Sequence, residues 1–289
     1  MNPIVFHIAS GHAFFSGVAL LVIGILSATS PMGIFRRVTG ICLVIGVMAI
    51  VLSSTAIPWW YYAVATAITM VWFACGFRKT RPRWIPYAAI GAWMVVAGIE
   101  VPYHLTTRLQ PVGVRGITIV GDSVTAGMGA DDAAETWPKI LARSHQLEVQ
   151  DISHVGETAA SALKRVERHA ITSPVVLVEI GGNDILGSTS AAQFAFDLDA
   201  LLEHLATDDR QVVMFELPLP PFSHAYGRAQ RTAAARHKVS LVPKRIFLSI
   251  IAAGGATLDS IHLSQAGHEL MAECVWKLIA SAYPDSSGH

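Results

Sequence analysis

Two stretches of the chain contain residue types that can perform nucleophilic chemistry. In "IVGDSVTAG" an apolar run ends in a turn that presents Ser123, and in "LDSIHLSQAGH" Asp259 precedes His262 by three residues. A serine hydroxyl is a weak nucleophile until a histidine accepts its proton. The spacing allows the Asp259 carboxylate to hold one ring nitrogen of His262 while the other nitrogen faces the serine. A Ser123–His262–Asp259 relay is therefore chemically coherent, although Asp259 by itself also suits a turn.

The elements that would position these residues follow from the second half of the chain. Apolar runs predict strands at "GITIVG" (116–121), "LEVQDIS" (147–153), "PVVLVEI" (174–180), "QVVMFEL" (211–217) and "VSLV" (239–242). Helical patterns are predicted near 135–143, 158–168, 191–205 and 225–237, and over 264–280 with Ser264 as the N-cap. This alternation indicates a three-layer α/β/α domain with a parallel sheet covered on both faces. Ligands bind beyond the carboxyl ends of such strands, where Ser123, Gly156 and Asn183 all lie.

Four segments of this half resemble, in order, the sequence blocks of the SGNH (GDSL) hydrolase superfamily. They are "GDSVTAG" (121–127), "VGET" (155–158), "GGND" (181–184) and "DSIHLSQAGH" (259–268). The resemblance covers about residues 116 to 282. It is nearest to the branch that contains bacterial arylesterases and periplasmic thioesterase/lysophospholipase enzymes, and it implies an SGNH or flavodoxin-like fold.

The resemblance also implies roles for individual residues. Ser123 matches the nucleophile, His262 the base and Asp259 the acid that orients the base. The oxyanion hole would consist of the backbone N–H groups of Ser123 and Gly156 and the side-chain amide of Asn183. Such donors stabilise the charge that develops on the carbonyl oxygen during acyl transfer. No cofactor is implied, and no cluster in the sequence has metal-ligand spacing.

The chain departs from the family pattern at one position of this site. Ser260 stands where the family commonly has glycine, in Asp-Gly-Ile-His, and a serine held at positive φ would strain the loop. Other polar residues nearby have structural interpretations. Asp122 and Asp184 suit caps or turns, and His268 suits the first turn of the last helix without a catalytic task. His154 suits either the pocket or an exposed loop.

The first half of the chain has the composition of a membrane region. The whole sequence is 52% hydrophobic and 15% charged, with a mean hydropathy of +0.46, whereas soluble domains have about 25% charged residues. Four apolar stretches, each near the ~20 residues that cross a bilayer as a helix, cover 4–28, 38–57, 59–77 and 84–101. Aromatic residues cluster at the ends of the stretches, as they do at membrane interfaces. The sequence therefore predicts four transmembrane helices.

The distribution of charge predicts an orientation. Residues 1–105 hold one of the 21 acids, Glu100, and six of the 21 bases. The bases lie between the first two stretches, at Arg36 and Arg37, and between the last two, in "FRKTRPR" (77–83). By the positive-inside rule both loops are cytoplasmic. The catalytic half and both termini would then lie on the extracytoplasmic side of a bacterial inner or plasma membrane.

The predicted organisation is a transmembrane region over 1–105, a linker over 106–115, an SGNH hydrolase domain over 116–282 and a tail over 283–289. We expect a membrane-anchored serine esterase or acylhydrolase that cleaves carboxylic esters or thioesters outside the cytoplasm, on a small-molecule or lipid-like substrate. One alternative is an acetyltransferase or deacetylase for O-acylated cell-envelope polysaccharide. Another is a non-catalytic membrane binding module. Neither half has the basic surface of a nucleic-acid-binding protein.

Overall fold

A computed structural model describes residues 1–29, 33–76, 82–128, 134–259 and 261–284, and the chain divides into two units. The first, called here the N-terminal unit, contains residues 3–104 together with 219–224. The second, called the sheet unit, contains residues 105–218 and 225–289 together with the first two residues. The residues predicted to perform chemistry all belong to the sheet unit.

The N-terminal unit is helical within the described residues. Its helices are α1 (Pro3–Ala9), α2 (His12–Ser27), α3 (Gly33–Leu52), α4 (Trp59–Cys75) and α5 (Ile85–Glu100), and a 3₁₀ turn, Val101–His104, continues α5. Helix α2 packs against α3 and α5, and α4 packs against α5. Large apolar side chains fill the interior between these helices: Phe14, Val18, Leu21, Ile50, Trp93 and Val96.

The prediction of one continuous helix over 4–28 is wrong. The chain breaks between α1 and α2, whose axes differ by 88°. Gly11 takes a φ of 84° at this break, a left-handed conformation that favours glycine and ends a helix. The sequence pattern missed the break because both flanking segments are apolar.

The second predicted helix, 38–57, ends too late in the sequence-based prediction. Helix α3 stops at Leu52, and residues 53–57, which precede the exposed Pro58, are buried without being helical. Ser53, Ser54 and Thr55 are fully buried, and the Ser54 hydroxyl donates to the Ala9 carbonyl at 2.6 Å. The Ser54 N–H donates to the distant Ile8 carbonyl at 3.1 Å, and the helical hydrogen-bond pattern of α3 does not continue to this residue.

By length and composition, one helical stretch of the described residues could cross a bilayer, Ile85–His104. Helices α1 and α2 would supply a second span only if the bent pair is counted as one. The segments Val38–Leu52 and Trp59–Cys75 are apolar but shorter.

The sheet unit contains, within its described residues, a five-stranded sheet that matches the predicted runs. The strands are β1 (Gly116–Gly121), β2 (Glu148–Asp151), β3 (Val175–Glu179), β4 (Gln211–Phe215) and β5 (Ser240–Val242). All pairs are parallel, and the spatial order is β2-β1-β3-β4-β5. In this order the chain leaves β1 toward one edge and returns to β3 on the other side, so the crevice between β1 and β3 is the expected ligand site.

The helices of this unit are α6 (Ser123–Ala126), α7 (Trp137–His145), α8 (Ala159–Val166), α9 (Gly182–Leu186), α10 (Ala191–Leu205), α11 (His224–Arg236), α12 (Lys244–Ala252) and α13 (Gln265–Ile279). The sequence did not predict α6, α9 or α12. Ser264 caps α13 as predicted, because its hydroxyl accepts the Gly267 N–H at 3.2 Å.

The sheet is covered on both faces, as strands of continuous apolar residues require. Ile117, Ile119 and Leu177 point to one face, where they join a core with residues of α7, α12 and α13. Successive strand residues alternate between faces, so Val176 and Val178, which are fully buried, lie on the other.

Candidate active site

The candidate nucleophile stands in the turn that follows β1. Ser123 is the first residue of α6 and is largely buried, with 9% of its surface exposed. Asp122 caps this short helix, because its Oδ1 accepts the Val124 N–H at 2.9 Å. Gly121 is required just before it, since a Cβ at this position would lie 2.3 Å from the Thr125 Oγ1. The turn thus depends on the cap from Asp122 and on a glycine at position 121, where any side chain would collide with Thr125.

The candidate base and its acid lie together in the loop that precedes α13. Nδ1 of His262 is 2.7 Å from Oδ2 of Asp259, and Oδ1 of Asp259 accepts the N–H groups of Ile261 and His262 at 2.7 and 2.8 Å. The hydrogen bond from the His262 ring, followed by those from the backbone, holds the pKa of the Asp259 carboxyl well below its usual range. The acid is therefore an anion that fixes the ring through Nδ1. Position 260, where serine replaces the family's usual glycine, lies outside the described residues.

The two further residues predicted for the oxyanion hole lie beside the nucleophile turn. Gly156 has a φ of 76° and open space around the position of a Cβ. The Asn183 side-chain amide, in α9, donates to Oδ2 of Asp122 at 3.2 Å and to the carbonyl of Glu157 at 3.0 Å. One amide thus connects the residue before Ser123 with the residue after Gly156.

The Ser123 hydroxyl and the His262 ring are not hydrogen-bonded to each other within the described part of the chain. Burial raises the pKa of Asp122, and the charge of His262 acts on the same carboxyl in the opposite direction. Contacts between a nucleophile and its base are often loose without substrate and tighten when substrate binds.

Glu179 is a polar residue of this region that the sequence analysis did not consider. It is the last residue of β3, it pairs in register with Gly121, and it is almost fully buried. Its Oε2 accepts the Thr125 hydroxyl at 3.0 Å and the Asp122 N–H at 3.4 Å. Burial raises its pKa well above the usual value, and the neighbouring Asp122 raises it further. A lone acid within an otherwise apolar run, two residues before "GGND", was the signal that could have drawn attention to it.

The remaining polar residues have structural contacts. Oδ2 of Asp184 accepts the Ala159 N–H at 3.0 Å, at the start of α8, and burial raises the pKa of this carboxyl. His268 is buried in the first turn of α13, where Nδ1 accepts the Trp137 N–H at 3.3 Å. His154 is exposed. Among the described residues, no three His, Cys, Asp or Glu side chains are grouped so as to hold a metal ion.

A serine, an acid-held histidine and amide donors at the β1/β3 crevice are the parts that ester hydrolysis by an acyl-enzyme requires. The chain belongs to the GDSL-like Lipase/Acylhydrolase family, whose profile matches residues 119–270. It is an ester-hydrolysing serine hydrolase of the SGNH type.

Individual relatives match the same half of the chain. Esterase TesA of Pseudomonas aeruginosa is 28% identical over 190 residues, which are 60% of this chain and 91% of that protein. A crystal structure of TesA is 26% identical, covers 56% of this chain and 97% of its own, and has a TM-score of 0.49. The psychrotrophic esterase EstA from Pseudoalteromonas is 22% identical, covers 56% of this chain and 95% of its own, and also has a TM-score of 0.49.

Proposed function

We propose that this protein is a membrane-embedded serine esterase in which Ser123 is the nucleophile, His262 the base and Asp259 its orienting acid. The observation that carries this proposal is the 2.7 Å contact between Asp259 and Nδ1 of His262, which leaves Nε2 as the ring nitrogen available to the serine. The Ser123 and Gly156 N–H groups and the Asn183 amide form the proposed oxyanion hole.

In the proposed reaction, Oγ of Ser123 attacks the ester carbonyl carbon and its proton passes to Nε2 of His262. The carbonyl oxygen becomes an anion that the oxyanion hole stabilises. The intermediate collapses, and the alcohol or thiol leaves with the proton from His262. A water molecule then attacks the acyl-enzyme, giving one proton to His262, and the collapse of the second intermediate returns that proton to Ser123 and releases the acid.

The residues that flank the proposed site favour a substrate with an apolar acyl or aryl part. Val155 precedes Gly156, Ile261 precedes His262, and Leu186 ends α9 three residues after Asn183. All three are large apolar side chains that are exposed to solvent. Carboxylic esters or thioesters with small, aryl or lysophospholipid-like groups are the substrates we propose.

Membrane embedding is supported by the outer surface of the N-terminal unit. On α3 the side chains at Ile41, Val44, Ile45 and Met48 are exposed, a spacing that places them on one face of the helix. Exposed apolar residues also occur on α4 and α5: Val64, Met70, Val71, Met94 and Val95. Water-soluble proteins rarely expose contiguous apolar surface of this extent, whereas lipid covers it without cost.

Interfacial residues and charge support an orientation. Trp59 and Trp84 are exposed beside the first turns of α4 and α5, as expected at the level of lipid headgroups. The positive-inside rule, applied to the basic segments at 36–37 and 77–83, favours a sheet unit that acts outside the cytoplasm, at the bacterial inner or plasma membrane. Residues 77–81 of the second segment lie outside the described residues.

The test uses the full-length protein in detergent with a series of chromogenic esters from acetyl to long-chain acyl. We expect turnover that is lost in Ser123→Ala and unchanged in Ser249→Ala, which alters an exposed serine of α12. The chain-length profile separates acetyl from lipid-like esters. Turnover that survives in Ser123→Ala would rule out the proposed nucleophile.

Acyl transfer to a polysaccharide without hydrolysis would favour the transferase instead. A reporter fused to the C-terminus that is active only in the cytoplasm would overturn the orientation.

A further inference from the structure

Beneath the proposed nucleophile, two carboxyl groups lie side by side in the interior of the sheet unit. Glu179 ends β3 and Asp122 follows β1, and the pairing of Gly121 with Glu179 brings the two acids together. Both are buried, with 5% and 4% of their surfaces exposed. The proposed mechanism assigns no task to Glu179, so its presence in an apolar sheet requires a reason.

The two carboxylate oxygens of Asp122 contact two different parts of the proposed site. Oδ1 accepts the Val124 N–H at 2.9 Å and so holds the turn that presents Ser123. Oδ2 accepts one N–H of the Asn183 amide at 3.2 Å and so holds this side chain, whose other N–H donates to the Glu157 carbonyl at 3.0 Å and must turn to the substrate oxygen when Asn183 acts as an oxyanion donor. The position of one carboxylate therefore governs both the nucleophile and a donor of the oxyanion hole.

Glu179 in turn holds Asp122 and the helix that follows it. Its Oε2 accepts the Thr125 hydroxyl at 3.0 Å and the Asp122 N–H at 3.4 Å, so the two carboxyl groups lie next to each other. Two adjacent buried carboxylates cannot both be ionised at low cost, so one of them keeps a proton. Asp122 accepts hydrogen bonds from the Val124 N–H and the Asn183 amide, which favour its ionised form, whereas burial raises the pKa of Glu179 well above the usual value. We therefore assign the shared proton to Glu179 and the negative charge to Asp122.

We propose that Glu179 is a positioning residue for ester hydrolysis, which as a neutral acid donates a hydrogen bond to Asp122 and thereby fixes the Ser123 turn and the Asn183 amide. This inference rests on the proposed function, because it assigns Glu179 an effect on the nucleophile and the oxyanion donor named there. Glu179 itself does not touch the substrate.

The proposal predicts a loss of activity at alkaline pH. The neutral form of Glu179 is the productive one, so its contribution is present at pH values below its raised pKa and is lost as the pH rises through it. The polar groups that face Glu179 are Asp122 and the Thr125 hydroxyl. The charges that act on Asp122 are those of His262 and Asp184. Ionised Glu179 would repel Asp122 and weaken its hold on Val124 and Asn183.

The test compares Glu179→Gln and Glu179→Ala with the wild type in the full-length enzyme, measuring kcat and KM for a chromogenic ester as a function of pH. Glutamine can donate to Asp122 and accept from Thr125, but it does not ionise. We expect Glu179→Gln to retain most of the activity at neutral pH and to lack the alkaline loss of the wild type. Glu179→Ala should lower kcat by about 10²-fold with little change in KM, the size of effect seen when one oxyanion donor is lost.

The rate at which a fluorophosphonate labels Ser123 gives a second readout that needs no knowledge of the natural substrate. It should follow the same pH dependence in the wild type and lose the alkaline decline in Glu179→Gln. Identical alkaline profiles in the wild type and Glu179→Gln would overturn the inference, as would a Glu179→Ala variant with normal kcat. If Glu179→Ala does not fold, the alkaline profiles of Glu179→Gln and the wild type test the proposal on their own. Failure of the proposed function is seen separately, as labelling or turnover that persists in Ser123→Ala.

Discussion

The Asp259 carboxylate contacts His262 through both of its oxygens. Oδ2 lies 2.7 Å from the ring nitrogen Nδ1, and Oδ1 accepts the backbone N–H of the same histidine at 2.8 Å. The acid thus fixes the ring and the loop that carries it. Because the pKa of Asp259 is held below its usual range, this contribution is present at ordinary pH and is lost only when the pH falls below the range in which aspartate normally titrates.

Replacing this acid should reduce turnover without unfolding the protein. In Asp259→Asn the amide can still contact the ring, but it no longer stabilises the imidazolium and can hold the wrong tautomer. We expect kcat to fall by about 10³–10⁴-fold, as in other serine hydrolases with this substitution. The measurement is kcat for a chromogenic ester, with Asp208→Asn, an exposed aspartate, as the matched control. A fall of less than tenfold would show that Asp259 does not orient the base.

Replacing Gly156 with alanine should lower both the stability of the protein and its kcat. Its φ of 76° is unfavourable for any other residue, although a Cβ would meet no atom within 4 Å. Gly156→Ala should therefore lose about 1–2 kcal/mol of stability from the backbone alone. If the backbone rotates to relieve this strain, the N–H leaves the oxyanion hole and kcat falls by about 10²-fold.

Gly255→Ala is the matched control for that substitution. Gly255 has a φ of 78° and equally open surroundings, so its stability loss should be the same, but its N–H is not part of the proposed hole. Thermal unfolding and kcat measured on both variants separate the two effects. An equal fall in kcat for the two variants would show that Gly156 acts only through stability.

The residues that the sequence predicts for the site all lie in short local motifs. Ser123, Gly156, Asn183 and the pair of Asp259 with His262 each stand just beyond a strand or before a helix, where a local pattern is enough to place them. A lone acid in an apolar run marks Glu179 in the sequence, but no local motif shows that it lies beside Asp122, because this depends on the register of β3 with Gly121 of β1.

In the N-terminal unit, too, the sequence predicted only part of the structure. Its apolar composition predicted helices, and helices are present. Composition did not reveal the break at Gly11 or the buried polar segment at Ser53, Ser54 and Thr55, because these depend on which backbone groups remain unpaired once the helices pack. Hydrophobic patterns indicate that a segment is buried in protein or lipid, but not where its helix ends.

The packing of α2 against α3 provides a test inside the N-terminal unit. A Cβ on Gly17 would lie 2.7 Å from the Gly46 carbonyl oxygen and 2.7 Å from a side-chain carbon of Ile50. Helices that approach this closely through glycine are typical of membrane proteins. Gly17→Ala should push the helices apart and lower stability by about 1–3 kcal/mol.

The control is Gly91→Ala, on α5, where a Cβ would meet nothing within 4 Å. Alanine there should leave stability unchanged or raise it, since alanine favours helices over glycine. The measurement is the midpoint of thermal unfolding in detergent. Equal midpoints for Gly17→Ala and the wild type would contradict the close approach of α2 and α3.

A buried ion network joins Glu216, the residue after β4, to helices α11 and α12. Oε1 of Glu216 lies 2.7 Å from Nε of Arg231 and 3.5 Å from Nζ of Lys244, and all three side chains are almost fully buried. Glu216→Gln keeps the shape but removes the only anion of this trio, leaving two buried cations close together. Removing one charge of a buried ion pair costs about 3–5 kcal/mol, because the pair was desolvated on folding and its mutual attraction is lost. We therefore expect esterase activity to be lost at a clearly lower urea concentration.

Glu273→Gln is the control, because it removes a pair of similar length from the surface. Glu273 is 2.6 Å from Lys277 in α13, but both side chains are mostly exposed to solvent. Water and salt screen such a pair, so its removal should leave the urea midpoint nearly unchanged. The contrast between the two variants isolates burial as the cause, since each replaces a glutamate that contacts a cation. Equal shifts in the two midpoints would show that the network around Glu216 is accessible to water.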